Sequence, residues 1–167
     1  KTTVSCNLAR ALLRCGHKVG ALDLDYRAPN LPFLFDLESP ELLTRGDGDH
    51  LIPPRSQEGI PVFSLHHFWP PGQAVMVKDE EAIYDVKQLL QADIITWGDV
   101  EYIIDDTPPD SAGHIAIVLE NPNLYGCIVV SQPSRVSRAD AERTISLLRE
   151  KEAPFIGLVI NQVYLAS

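Results

Sequence analysis

The chain has 167 residues, 45% of them apolar, and a formal net charge of −9. That is long enough to bury one real core and too apolar for a disordered segment. The excess of acid disfavours non-specific binding to nucleic acid or to an anionic membrane, yet leaves room for a local anion site that takes a nucleotide.

Val4, Leu8, Ala11, Leu12 and Cys15 fall on one helical stripe, which predicts a helix over 3–15 with Gly16 as its stop. A strand over 19–24 follows and runs into the acids Asp23 and Asp25. Residues 26–37 read as loop, with Pro29 and Pro32 and a short apolar stretch at 31–37. Residues 38–59 hold Gly, Asp, Pro and Ser without periodicity and read as a long surface excursion. A third strand is expected over 60–65 and a turn-rich loop over 66–72. The paired His66 and His67 have no further ligand at a useful spacing, so solvent or packing roles are expected of them. Asp79 caps a helix over 79–93, whose buried face is Ile83, Val86, Leu89 and Leu90.

Trp97-Gly98 turns the chain into VEYIIDDTPP at 100–109. A short apolar run that ends in acids and breaks at prolines is the carboxyl end of a buried parallel strand. Open α/β sheets bind their ligands beyond such ends. A short helix is expected over 115–119, after a loop at 109–114, and a buried strand over 124–131. Ser137 and Asp140 form a capping box for a helix over 138–151 with Ala141, Ile145 and Leu148 inside; Pro154 ends it. A last strand is expected over 155–161. The order α-β-loop-β-α-β-α-β-α-β predicts one α/β domain: a mostly parallel sheet with helices on both faces and right-handed crossovers. Cys6, Cys15 and Cys127 form no CxxC pair and read as reduced, buried thiols of a cytoplasmic protein. No run is long and apolar enough for a membrane span, and no signal peptide is seen. The chain opens on Lys1 rather than Met, directly into a helical pattern, and reads as a fragment.

Lys1-Thr2 has the form of the last two positions of G-x-x-x-x-G-K-[ST] and, with Thr3, opens a helix, where backbone N–H groups and the macrodipole favour phosphate. In such a loop the lysine reaches the β- and γ-phosphates and the next hydroxyl, here Thr2, ligates Mg²⁺. Asp23, Asp25 and Asp106 then stand at strand ends, where a carboxylate can hold Mg²⁺ directly or through water, or orient an attacking water. The alternative for Asp23 and Asp25 is a pair of solvated strand-end acids.

Several segments together resemble the Mrp/ApbC family, a cluster-carrying branch of the MinD/ParA-like P-loop ATPases. Lys1-Thr2-Thr3-Val4 resembles the end of its GKGGVGKTT loop. Residues 21–32, ALDLDYRAPNLP, resemble LLDADIYGPSLP, and residues 97–109, WGDVEYIIDDTPP, resemble WGELDYLIIDTPPG. Gln132-Pro133 and Arg138-Ala139-Asp140 fall at a TTPQ…ALAD segment, and residues 157–162, GLVINQ, resemble GVVENM. The resemblance implies an ATP-binding, Mg²⁺-dependent P-loop ATPase. Lys1 would be its phosphate-loop lysine, with Thr3 beside the phosphates, and Thr2 the Mg²⁺ hydroxyl. Asp25 would position the attacking water, Asp106 would act on Mg²⁺ through water, and Asn161 would read the adenine edge. It also implies a homodimer that hands a 4Fe–4S cluster to apo iron–sulfur acceptor proteins. The family's glycines and first strand would precede Lys1, and its CxxC cluster ligands would follow the last strand. Pro108-Pro109-Asp110 stands where the family has PPG, and Gly113-His114 where it has an acidic pair. Two other readings remain open: a MinD/ParA-type positioning or partitioning ATPase without a cluster, and a degenerate nucleotide-fold module that only pairs with a partner.

Overall fold

The computed structural model describes residues 1–37, 44–46, 50–68, 87, 94–108 and 112–163. The chain divides into two compact units, Thr2–Ile117, and Val118–Ser167 with Lys1.

The first unit is built around strand β1 (Val19–Asp23), every residue of which is buried. It lies between two parallel partners, β4 (Val62–Ser64) and β5 (Tyr102–Asp106), giving the sheet order β4-β1-β5. A strand flanked on both sides and covered on both faces must be apolar throughout, and VGAL supplies this up to the terminal acid. Helix α1 (Thr2–Arg14) covers one face, burying Cys6 and Ala9 against Val19, Ala21 and Val62. Gly16 closes α1 at φ 92, a left-handed conformation that glycine adopts without strain, and its N–H donates to the Leu13 carbonyl. On the other face Trp97 lies against the backbone of Gly20, so close that a Cβ there would stand 2.9 Å from the indole.

A four-residue helix, α2 (Leu31–Leu34), stands where the sequence predicts loop. Proline is tolerated in a first helical turn, and here Leu31 and Pro32 are both buried. Within the expected excursion, β2 (Thr44–Arg45) and β3 (Leu51–Ile52) form an antiparallel pair. Two-residue strands are too short for alternation to show in a sequence. A 3-10 turn, Leu65–Phe68, follows β4, and in it His67 is buried with Nε2 3.2 Å from the Leu37 carbonyl, the packing role expected of it. The helix predicted over 79–93 lies outside the described residues apart from Lys87, which is helical. Helix α3 (Ala112–Leu119) follows β5 and begins three residues earlier than predicted.

In the second unit β6 (Cys127–Ser131) and β7 (Phe155–Ile160) pair in parallel and are joined by helix α4 (Arg135–Glu150). The predicted capping box at Ser137 is corrected: Ser134 is the N-cap, and its hydroxyl oxygen accepts the Ser137 N–H at 3.1 Å. The helical ladder already starts there, since the Arg138 N–H donates to the Ser134 carbonyl. Ala141 and Leu148 are buried beneath α4, as the periodicity predicts. Among the described residues β5 pairs with β1 and β6 with β7, and both pairings are parallel, as the sequence predicts. Of the three cysteines expected to be buried, Cys6 is; Cys15, which follows the end of α1, is exposed, and Cys127 is half-buried.

Candidate functional site

In the first unit the chemistry gathers at the carboxyl ends of β1 and β5. The register pairs Asp23 with Asp106 across the two strands, and the Leu24 N–H donates to the Asp106 carbonyl at 2.9 Å. The N-terminal turns of α1 reach the same end. Ser5 Oγ donates to Asp106 Oδ1 at 2.8 Å, from a residue one turn beyond Thr2 on the same helical stripe. The first turn of α1 carries no acid, so no side chain of that turn offsets the positive end of the helix.

Asp106 is buried on the α1 side of the sheet, and its Oδ2 makes no hydrogen bond among the described residues. Its neighbour Asp105 points, by the alternation of a strand, to the opposite face, opposite Leu22 in the ladder. Burial pushes the Asp105 carboxyl up to about 7.

Asp23 has a different part from the one its strand-end position suggests. It is buried, and both carboxylate oxygens are used by the loop that follows: Oδ1 accepts the Asp25 N–H and Oδ2 the Leu31 N–H, each at 3.0 Å. The second bond caps the first turn of α2. Burial pushes the Asp23 carboxyl up to about 7 against the pull of those two donors. Asp23 is therefore no solvated strand-end acid; it ties down the loop that carries Asp25. Asp25, two residues past the strand, is half-buried, and its Oδ1 accepts the N–H groups of Arg27 and Ala28 at 3.2 and 3.1 Å.

The residues expected to act together are thus divided. Thr2, Thr3, Asp25 and Asp106 belong to the first unit, and Asn161 and Lys1 to the second. Lys1 and Thr3 are exposed and Thr2 is half-buried. Asn161 follows β7, where its N–H donates to the Ser131 carbonyl at 2.8 Å. Gln162 next to it holds φ 57, and its Oε1 accepts a hydrogen bond from Gln132 Nε2. The carboxyl ends of β6 and β7 are bridged in this way, and the Asn161 carboxamide makes no hydrogen bond among the described residues. An open cleft of about 430 Å³ lies beside this end, floored by Ala141, Ile145, Leu158 and Ile160.

The donor set of the first unit fits Mg²⁺: a carboxylate and a hydroxyl are hard oxygen ligands, and Asp106 offers an uncommitted oxygen. Sequence reasoning missed Ser5. A serine inside an amphipathic helix gives no signal of its own, and its acceptor lies 101 residues away. Among the described residues no group of three or more His, Cys, Asp or Glu is placed to hold a metal ion. No helix among them is long and apolar enough to cross a membrane.

A family described as "ParA: NUBPL iron-transfer P-loop NTPase" matches residues 1–167. An iron–sulfur cluster carrier protein of Methanococcus maripaludis is 31% identical over 163 residues, which cover 96% of this chain and 55% of that protein. One of Helicobacter pylori is 32% identical over 161 residues, 96% of this chain and 43% of that protein. The chain therefore spans about half the length of the curated relatives it matches. A nucleotide-binding protein from Archaeoglobus fulgidus, solved in complex with ADP and with Co, superposes with a TM-score of 0.79 at 26% identity. That match covers 99% of this chain and 63% of the other. The MinD cell division protein of Aquifex aeolicus superposes with a TM-score of 0.57 at 20% identity, over 98% of this chain and 64% of that one, a likeness of fold alone.

Proposed function

The chain belongs to the NUBPL iron-transfer P-loop NTPase family of the ParA type, and from that premise we propose that it is the ATP-handling part of an iron–sulfur cluster carrier. The observation that carries this reading is the meeting of the N-terminal turns of α1 with Asp106 at the carboxyl end of β5. A helix N-terminus and a strand-end acid at one place suit a phosphate chain and its divalent cation.

In this reading Lys1 neutralises the β- and γ-phosphate oxygens, with the N–H groups of Thr2 and Thr3 beside it. Thr2 and Asp106 would hold Mg²⁺, which supplies charge neutralisation of the phosphates when bound. Asp25 orients the attacking water; the water oxygen bonds to the γ-phosphorus as the bond to the ADP oxygen breaks. Positioning and charge stabilisation carry the catalysis. Asn161 offers its carboxamide to the adenine edge. The cargo is an iron–sulfur cluster, handed to apo acceptor proteins by a homodimer in the cytoplasm as ATP is turned over.

The test is a titration of the intact natural protein with Mg·ATP under anaerobic conditions, before and after iron and sulfide reconstitution. Lys1→Ala is expected to weaken ATP binding about 10- to 100-fold, the loss of a charge-assisted contact. Asp25→Ala is expected to slow hydrolysis while ATP still binds. A sulfur-to-iron charge-transfer band after reconstitution supports the carrier function. Unchanged ATP affinity in Lys1→Ala sinks the phosphate-loop assignment, and ATP binding without the band turns the reading to a positioning ATPase.

A further inference from the structure

We infer that Ser5 is a positioning residue for the metal-bound state of Asp106, an inference that rests on the ATPase reading. A serine inside a helix ordinarily returns its hydroxyl to the carbonyl four residues back. Ser5 instead donates at 2.8 Å to Asp106 Oδ1, across to the end of β5. The bond fixes the rotation of a buried carboxylate about its Cβ–Cγ bond and occupies one oxygen. Oδ2 is thereby left as the acceptor for a metal ion or its bound water. Ser5 also sits three residues after Thr2, so both hydroxyls lie on the α1 stripe that faces β5. One helix face thus carries the hydroxyl that would ligate the cation and the hydroxyl that orients its carboxylate partner. Outer partners of this kind set the ligand's orientation and with it the metal affinity.

The readout is the Mg²⁺ concentration at half-maximal ATP binding in the intact natural protein, together with binding of metal-free ADP in EDTA. Ser5→Ala is expected to raise the Mg²⁺ requirement about tenfold, with metal-free ADP binding unchanged. Ser5→Thr keeps the hydroxyl and is expected to restore the Mg²⁺ requirement. A purely structural tie would lower the unfolding temperature of Ser5→Ala without moving the Mg²⁺ curve, and that result overturns the inference. It is overturned alone if Ser5→Ala follows the wild-type Mg²⁺ curve while Asp106→Asn and Lys1→Ala lose Mg·ATP binding. If those two variants also bind Mg·ATP as the wild type does, the ATPase reading falls and this inference falls with it.

Discussion

β1 and β7 are both short apolar parallel strands, and their surroundings differ completely. All five residues of β1 are buried, whereas no residue of β7 is fully buried and five of its six are exposed. β1 has a strand on each side, α1 on one face and Trp97 on the other. β7 has β6 as its one strand neighbour among the described residues. An apolar run specifies a strand, but neighbours on both sides specify burial. The charge divides along the same line. Residues 118–167 hold five basic and five acidic side chains, while residues 2–117 hold eight basic against eighteen acidic. Three of those acids, Asp23, Asp105 and Asp106, lie in β1 and β5, and the carboxyl end of that sheet is a place that gains from a bound cation.

The largest expected contrast is in packing. Phe63 of β4 is fully buried and meets the rings of His67 and Phe68 edge-on. Phe63→Ala is expected to cost about 3–5 kcal/mol, through lost transfer free energy and a cavity. Phe155 of β7 is 42% exposed, and Phe155→Ala is expected to cost about 1 kcal/mol. Urea unfolding of both variants checks this, and equal losses would break the contrast.

Acidity should separate the same two regions by a little less. Asp23 and Asp105, both pushed up to about 7 by burial, lie in β1 and β5. In the folded form these two groups hold their protons more tightly than in the unfolded chain, so protonation favours folding. Their contribution is unchanged below about pH 4, falls as pH rises from about 4 to 7, and is constant above that. Between the ordinary carboxyl range and about 7 the loss is at most about 4 kcal/mol for each group. Amide exchange, corrected for the intrinsic pH dependence, should show β1 losing protection across that window and β6 keeping it. Asp105→Asn should remove part of the β1 slope; an unchanged slope would assign the effect elsewhere.

Legibility in the sequence follows the range of the interaction. α1, β1, β5, β6, α4 and β7 were readable because periodicity, a glycine stop and proline breaks are all local. Asp106 was readable because a strand-end acid before Thr107-Pro108 is a local pattern. The part played by Asp23 was not, since it depends on two N–H groups that the loop brings back to it, the further one eight residues on. The cap of α4 was misread because only Ser137 has an acid three residues on, whereas the actual cap, Ser134, has Ser137 there and shows no such pattern. Family membership was readable from the order and spacing of several short segments together.

The smallest effect gives the sharpest form of the comparison, because bare proximity predicts the wrong order. A Cβ added at Gly126, just before β6, would stand 2.6 Å from Ile156 Cγ1, closer than any contact a Cβ at Gly20 would make. At Gly20 the approach is 2.9 Å to the Trp97 indole, with Val100 Cγ1 at 3.5 Å behind it. Ile156 is 56% exposed and can rotate toward solvent, leaving the Pro154 carbonyl at 3.2 Å to give by a few tenths of an ångström. Trp97 is a wide, stiff ring wedged over the central strand, and it can clear a methyl group only by moving as a whole. Gly20→Ala is therefore expected to cost about 1–3 kcal/mol, as overpacking does, and Gly126→Ala less than about 1 kcal/mol. The emission spectrum of Trp97 should shift in the first variant and not in the second. A larger loss for Gly126→Ala would mean that the β6–β7 ends are as rigid as the buried sheet, and the contrast between the two strands would then lie in exposure alone.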